Sequence, residues 1–241
     1  MHVARSRLAS GAAGAQGTAV IIDVFRAFTC APLFFHLGAE RVILEPDPEK
    51  ATAMRRGNPD WILVGEVNEV PLEAADAGNS PSEILRLGGR VFGGKTVVHR
   101  TTAGVTGAET ALGPADEVLL GGFVTAKATV RHIKSKDPQI VTLVAMGDRA
   151  QTEAPEDEAC ADYLEHLLIS SFFDPVAALS RVLFQATARK FLYRERPHLP
   201  PEDPALCLQR DLFDFALAAR KKEGVIEAVM IRAVDEPYSS P

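Results

Sequence analysis

Apolar positions along the chain fall into short unbroken runs separated by amphipathic stretches. Residues 18–24 read Thr-Ala-Val-Ile-Ile-Asp-Val, a β-branched run of the kind that fills a strand buried on both faces. Similar runs over 41–45, 61–64, 95–99, 116–121 and 139–145 predict five more strands. Between them, helical patterns cover 27–37, the stretch from Pro48 towards Arg56, the stretches after Ser80 and Gly104, 124–135, and a long helix opening near Pro155. The helix starts are punctuated. Asp47 before Pro48 is an N-cap signal, and Ser80-Pro81 with Glu83 is a capping box with proline in the first turn. Gly38 is a helix stop, and Pro32 predicts a kink or a later helix start. Beyond Ser171 the pattern turns mostly helical, with one late strand over 225–233 and a frayed tail over 235–241.

Strands alternating with helices predict an α/β fold: three layers, α/β/α, on a largely parallel sheet with right-handed crossovers, the C-terminal part mostly helical with one late strand. The expected division is a loosely ordered lead-in over 1–17 and one domain over 18–241, or two lobes meeting near 150–155. The lead-in has basic residues but no apolar centre, so it does not read as a signal peptide. No apolar stretch reaches the ~18 residues of a membrane helix, so no membrane partner is expected. A net charge of -6 without a basic run argues against nucleic acid. Cys30, Cys160 and Cys207 are widely spaced, with no CxxC, which fits reduced thiols and a cytoplasmic protein. A homodimer is compatible with all of this.

Chemistry-bearing residues cluster at the ends of the predicted strands, where open α/β sheets place their ligands. One set is acidic: Asp23, Glu66 and the Glu156-Asp157-Glu158 group. An ionised carboxylate buried without a partner is costly, so Asp23 needs a cation, donors or solvent. Asp157 lies three residues before Cys160 and seven before Leu164, on the core-facing stripe of its helix. Glu156 and Glu158 read as ordinary first-turn acids that suit the helix dipole. The other set suits an anion: Arg26, Thr29, Asn79, Arg100, Thr101 and Thr102. An Arg-Thr-Thr segment between a strand and a helix start is a phosphate or sulfonate site, or else a plain N-cap. His99, at a strand end, serves equally well as a buried structural histidine. Hard oxygen ligands beside anion-binding donors are what Mg²⁺-assisted phosphoryl transfer needs. P-loop, HExxH and GxGxxG motifs are absent.

The ordered segments Asp23-Val-Phe-Arg26-Ala-Phe-Thr29, Gly65-Glu66, Gly78-Asn79-Ser80-Pro81, Thr101-Thr102-Ala103-Gly104 and Glu156-Asp157-Glu158-Ala159-Cys160-Ala161 together resemble the 2-phosphosulfolactate phosphatase family, Mg²⁺-dependent enzymes associated with coenzyme M biosynthesis. The resemblance covers roughly 18–165, with an echo at Cys207-Leu-Gln-Arg-Asp211. It implies a phosphoric monoester hydrolase that converts 2-phosphosulfolactate, a small anionic phosphorylated metabolite, into sulfolactate and phosphate. Asp23, Glu66 and Asp157 would hold Mg²⁺. Arg26 and Arg100 would neutralise the substrate's anionic groups. Asn79, Thr29, Thr101 and Thr102 would orient the phosphoryl oxygens. Ser80, already accounted for as a cap, joins the substrate-binding set through its matching segment. The nucleophile is a metal-bound water or a side chain.

The chain departs from the family pattern at five places. Phe25 and Phe28 stand for a leucine and a threonine, Val67 for an arginine, and Ala103 and Val105 for an asparagine and a threonine. Each polar loss removes a contact worth about 1.5–3 kcal/mol if made to a charged group. The losses motivate an alternative, a non-catalytic or repurposed member that binds an anionic metabolite.

Overall fold

Ten strands form one sheet in the computed structural model, which describes residues 1–232. In chain order they are β1 (His2–Arg7), β2 (Thr18–Ile22), β3 (Arg41–Leu44), β4 (Ile62–Val67), β5 (Val70–Pro71), β6 (Thr96–Arg100), β7 (Glu117–Gly121), β8 (Ile140–Ala145), β9 (Phe215–Lys222) and β10 (Val225–Arg232). The helices are α1 (Leu8–Ala13), α2 (Ala27–His36), α3 (Pro48–Gly57), α4 (Pro81–Leu87), α5 (Gly89–Phe92), α6 (Gly104–Ala111), α7 (Ala126–Lys136), α8 (Pro155–Ile169), α9 (Pro175–Leu183), α10 (Ala186–Leu192) and α11 (Asp203–Cys207). Across the sheet the order is β1-β8-β2-β7-β9-β10-β3-β6-β4-β5.

Period-2 alternation sorts the core into layers. In β2, Ala19 and Ile21 face a cluster with Ala12 of α1, Phe28 and Phe34 of α2, Ile84 of α4 and Val105 and Ala108 of α6. Val20 and Ile22 face the opposite cluster, with α7, α8, Val182 of α9 and Ala188 of α10. Ala51 of α3 covers Leu63 and Val98 on that second face at the far end. The expected three-layer α/β/α architecture is present. Among the described residues no helix is long and apolar enough to cross a membrane.

The strand order departs from the expected run of parallel crossovers. β1, β8, β2 and β7 form one parallel block, and β3, β6 and β4 form another. The hairpin β9–β10 lies between them, antiparallel to β7 on one side and β3 on the other. The two blocks therefore run in opposite senses, and β2 and β3 are not neighbours. A twist of about 20–25° per neighbour accumulates to roughly 100–125° over the five steps from β2 to β6. That leaves the blocks closer to crossed than to opposed, so both sets of carboxyl ends reach one side of the molecule.

Three local expectations are corrected. The lead-in is ordered: β1 pairs with β8 from His2↔Ile140 to Arg7↔Ala145. Arg5 binds Glu158, Asp162 and Glu165, and Arg7 binds Glu158. Its order comes from backbone pairing and ion pairs to α8 rather than from apolar content. Gly17, at φ +63, closes this region where any Cβ would stand 2.2 Å from the Ile140 carbonyl oxygen. Second, α2 starts at Ala27 and runs through Pro32, because residues 27–34 are buried on every side and packing holds the helix. Third, the late strand over 225–233 is one arm of a hairpin. Its partner β9 is an Ala-rich run without strand-like alternation, joined through Glu223 and Gly224 at φ 51° and 83°, the signature of a tight hairpin turn. The frayed tail over 235–241 and the end of the late strand at Ala233 lie outside the described residues.

Candidate active site

Both sets of carboxyl ends open onto one cleft. Its first wall comes from β2 and α8. Asp23 follows β2 directly and is buried, with Oδ1 accepting from the Ala27 N–H at 3.3 Å, which closes the turn into α2. The Phe25–Arg26 peptide bond in this turn is cis. Gly104, the first residue of α6, lies so close that a Cβ would stand 2.8 Å from Asp23 Oδ2. Only glycine lets the carboxylate approach that helix start. Burial pushes the Asp23 carboxyl up to about 7, with Glu66 adding repulsion, against the pull of the Ala27 and Gly104 amides and Arg26.

Asp157, in the first turn of α8, staples two strand ends together. Its Oδ1 accepts from the Val24 N–H at 2.8 Å and its Oδ2 from the Gly147 N–H at 2.7 Å. Burial raises its carboxyl well above the ordinary range, helped by repulsion from Asp23 and Glu156. Glu156 is inside the cleft too, buried, accepting from the Thr187 hydroxyl at 2.8 Å and raised by burial to about 7. This corrects its reading as an ordinary first-turn acid: it precedes Cys160 by one helical turn, on the same core-facing stripe as Asp157. Glu158 points the other way and is bound by Arg5 and Arg7.

The second wall comes from β4 and β6. Glu66 accepts from the Thr102 N–H at 2.6 Å through Oε1, and from the Glu69 N–H and the Thr102 hydroxyl through Oε2. Arg100 donates to the Glu66 carbonyl, to the Pro46 carbonyl at 3.1 Å and to Thr102 Oγ1 at 3.2 Å. The Thr101 hydroxyl accepts from the Val105 N–H at 3.1 Å, a capping bond at the start of α6, while Thr101 also lines the cleft. Asn79 lines it as well, and His99 Nε2 lies 3.0 Å from Asn79 Oδ1. His99 is fully buried against Phe34, and burial lowers its imidazole to about 3. A neutral ring that donates from Nε2 leaves Nδ1 as an unpartnered acceptor. That is milder than the orphaned N–H the flipped arrangement would bury. Asn79 is thereby fixed with its amide N–H groups free for the cleft. His99 is thus structural and orients a cleft residue.

Of the expected site residues, Asp23, Arg26, Glu66, Asn79, Thr101, Thr102 and Asp157 meet in the cleft. Thr29, Ser80 and Arg100 do not line it. The Thr29 hydroxyl donates to the Val24 carbonyl at 3.1 Å beneath α2. Ser80 caps α4, accepting from the Glu83 N–H. Arg100 spends its guanidinium on the loop that carries Glu66. Of the five family departures, Phe25 and Ala103 line the cleft, and Phe28, Val67 and Val105 do not.

Unforeseen lining residues are Asn68, Glu69, Asp148, Arg149, Thr187 and Lys190, besides Glu156. Lys190 of α10 pairs with Glu69. The loop over 67–79 is long for a compact domain and the stretch over 146–153 is polar, which are signals for four of these positions; nothing local marks Thr187 or Lys190. The lining carries six carboxylates, Asp23, Glu66, Glu69, Asp148, Glu156 and Asp157, against three cations, Arg26, Arg149 and Lys190. Fully ionised, it has three negative charges in surplus. Among the described residues no three His, Cys, Asp or Glu side chains form a ready-made metal cage. The donor set instead suits an ion that uses one or two carboxylates and keeps its waters, as Mg²⁺ does.

A family model described as 2-phosphosulpholactate phosphatase matches residues 5–221. A protein of Bacillus subtilis (strain 168) named "Probable 2-phosphosulfolactate phosphatase" is 31% identical over 217 residues, 88% of this chain and 92% of its own. Proteins of the same name from Deinococcus radiodurans and Thermoplasma volcanium are 33% identical over 150 residues (62% of this chain, 61% of theirs) and 26% identical over 202 residues (81% and 85%).

Proposed function

The chain belongs to the 2-phosphosulpholactate phosphatase family, and from that premise we propose that it is a Mg²⁺-dependent phosphatase acting on 2-phosphosulfolactate. The observation that carries this reading is the charge balance of the cleft. An anionic ester meets six carboxylates and three cations in that lining, and it settles there more readily when further positive charge comes with it. The three acids most in need of that charge, Asp23, Glu156 and Asp157, stand together on one wall. Asp23 and Asp157 would hold Mg²⁺, with Glu156 beside them, and a bound ion would supply the positive charge that neutralises and polarises the phosphate ester.

The chain's own groups do the rest. Arg26 and the Asn79 amide bind phosphoryl oxygens. Glu66, with its oxygens taken up by three protein donors, holds the Thr101-Thr102 turn in place beside them. Lys190 and Arg149, also in the cleft lining, take the substrate's other anionic groups, with Glu69 yielding Lys190 as they arrive. The apolar faces of Phe25 and Ala103 limit water around the ester.

Phosphate release from 2-phosphosulfolactate, with Mg²⁺ and then with the ion removed by chelation, tests the reading. Release that vanishes on chelation and returns with Mg²⁺ is expected. Phosphate binding without release from this or other monoesters would favour the repurposed binder instead. That alternative is weakened because Val67 and Val105, two of the exchanges behind it, do not line the cleft.

A further inference from the structure

Arg26 reaches the cleft from the turn before α2, and the group that fixes it comes from near the other end of the chain. Asp203, the first residue of α11, is fully buried. Its Oδ2 accepts from Arg26 Nη1 at 2.9 Å. Its Oδ1 accepts from the Ser80 hydroxyl at 2.9 Å and from the Ser82 N–H at 3.1 Å. The guanidinium is further held by the His198 carbonyl, 3.5 Å from Nη1, and by the Phe191 ring, 5.2 Å from Cζ. Among the described residues, Arg26 Nε and Nη2 have no hydrogen-bond partner.

A carboxylate is the side chain this place requires. It can accept from a cation and two further donors at once, whereas an amide would turn an N–H towards one of them. With one nitrogen held, the rest of the planar guanidinium remains free to take a phosphate through parallel N–H bonds. Ser80 and Ser82 flank Pro81 at the start of α4, immediately after Asn79. Holding them fixes where the Asn79 amide stands, which His99 has already oriented.

We propose that Asp203 is a positioning residue for phosphate recognition: it aims the free edge of Arg26 and the amide of Asn79 at one phosphoryl group. The inference rests on the reading that this cleft receives a phosphate ester, and it adds the C-terminal segment to the machinery of the site. The segment that supplies Asp203 also supplies Phe191 and the His198 carbonyl to the same guanidinium, so Arg26 is held on three sides by residues 191–203.

The test is binding of inorganic phosphate, measured by calorimetry in Mg²⁺, alongside kcat/KM on the ester. Wild-type protein is compared with Asp203→Asn, Arg26→Lys and the double variant. Asp203→Asn should weaken both readouts by about 10–100-fold, the scale of a mispositioned binding group. If Asp203 acts through Arg26, the double variant loses clearly less than the product of the two single losses, because residues that act as a unit are non-additive; the loss that remains beyond Arg26→Lys is the part carried through Asn79. Losses that multiply in full would mean that Asp203 does not act through Arg26, and would overturn the inference.

Should Asp203→Asn fail to fold, Asp203→Glu keeps the charge and displaces the carboxylate by one methylene. It should bind phosphate more weakly while binding Mg²⁺ as the wild type does; wild-type phosphate affinity in that variant overturns the inference. Wild-type protein that binds phosphate but releases none from the ester sinks the proposed activity and leaves Asp203 standing. Protein with no phosphate affinity overturns both.

Discussion

The two walls of the cleft use the same side chain for opposite ends. On the β4–β6 wall, Glu66 receives three protein donors, and Arg100 locks its backbone carbonyl. On the β2–α8 wall, Asp23 and Glu156 are buried with few donors and lie near 7, and burial, with repulsion from Asp23 and Glu156, raises Asp157 well above the ordinary range. A saturated carboxylate holds a loop in shape and has little left to give. A starved cluster is costly to keep ionised and gains most from a cation. The contrast separates scaffold from chemistry more sharply than the mere presence of acids in a cleft.

The largest effect should come from neutralising the starved wall. Asp23→Asn should lower phosphatase activity by about 10³-fold or more, since it removes charge that holds the ion where the ester is polarised. The same change should leave the metal-free protein at least as stable at pH 8, because it removes a charge whose burial outweighs the pull of the Ala27 and Gly104 amides and Arg26. Glu66→Gln should do the reverse in stability. It turns an amide N–H towards protein donors and loses charged hydrogen bonds worth about 1.5–3 kcal/mol each, with a smaller fall in activity, on the order of 10–100-fold. Thermal melting and phosphate release on the two variants decide the matter. If both melt lower by similar amounts, the walls are not different in kind.

The next effect is on pH dependence. Asp23 and Glu156 have folded-state values raised to about 7. Groups raised in the folded state lend stability that is fully present below their unfolded values near 4, and that is lost as pH rises through about 7. Metal-free protein should therefore melt at progressively lower temperature between pH 4 and pH 8. Saturating Mg²⁺ should flatten the upper part of that curve, since the ion replaces the protons that the acids give up. Melting curves across this range with and without Mg²⁺ are the check. A metal-free curve without a decline would mean that these acids are not desolvated as the geometry implies.

Much of this was legible in the sequence, and the parts that were not share a cause. β2, β3, β4, β6, β7 and β8 announce themselves as continuous apolar runs, and the α3 and α4 caps use side chains next to the bonds they satisfy. β1 and β9 do not, since their order is set by partners more than a hundred residues away in the first case and by a hairpin inside an Ala-rich run in the second. The opposed sense of the two parallel blocks follows from that hairpin's insertion between β7 and β3, which local patterning does not encode. The site divides the same way. Asp157 was readable from its helical stripe, and Glu156 could have been from its four-residue spacing to Cys160. Ser80 and Thr29 carry plausible polar groups, but long-range or backbone partners had already claimed them. Lys190 and Asp203 enter only through tertiary contacts with Glu69 and Arg26, and no spacing in the chain foretells those.

The smallest expected effect bears on what a departure from the family pattern means. Val67 replaces an arginine next to Glu66, and the exchange looks like the loss of a substrate contact. In the structure Val67 pairs with Val70 across the β4–β5 turn and does not line the cleft, while Glu66 before it and Asn68 and Glu69 after it do. The cations that line the cleft come instead from Arg26, Arg149 and Lys190, on segments remote from β4 along the chain. Val67→Arg should therefore change kcat/KM for 2-phosphosulfolactate by no more than about 2-fold, in line with surface substitutions that meet no specific feature. A gain of 10-fold or more in Val67→Arg would show that the arginine can reach the substrate past Glu69. The charge balance of the second wall would then have to be redrawn with position 67 inside it.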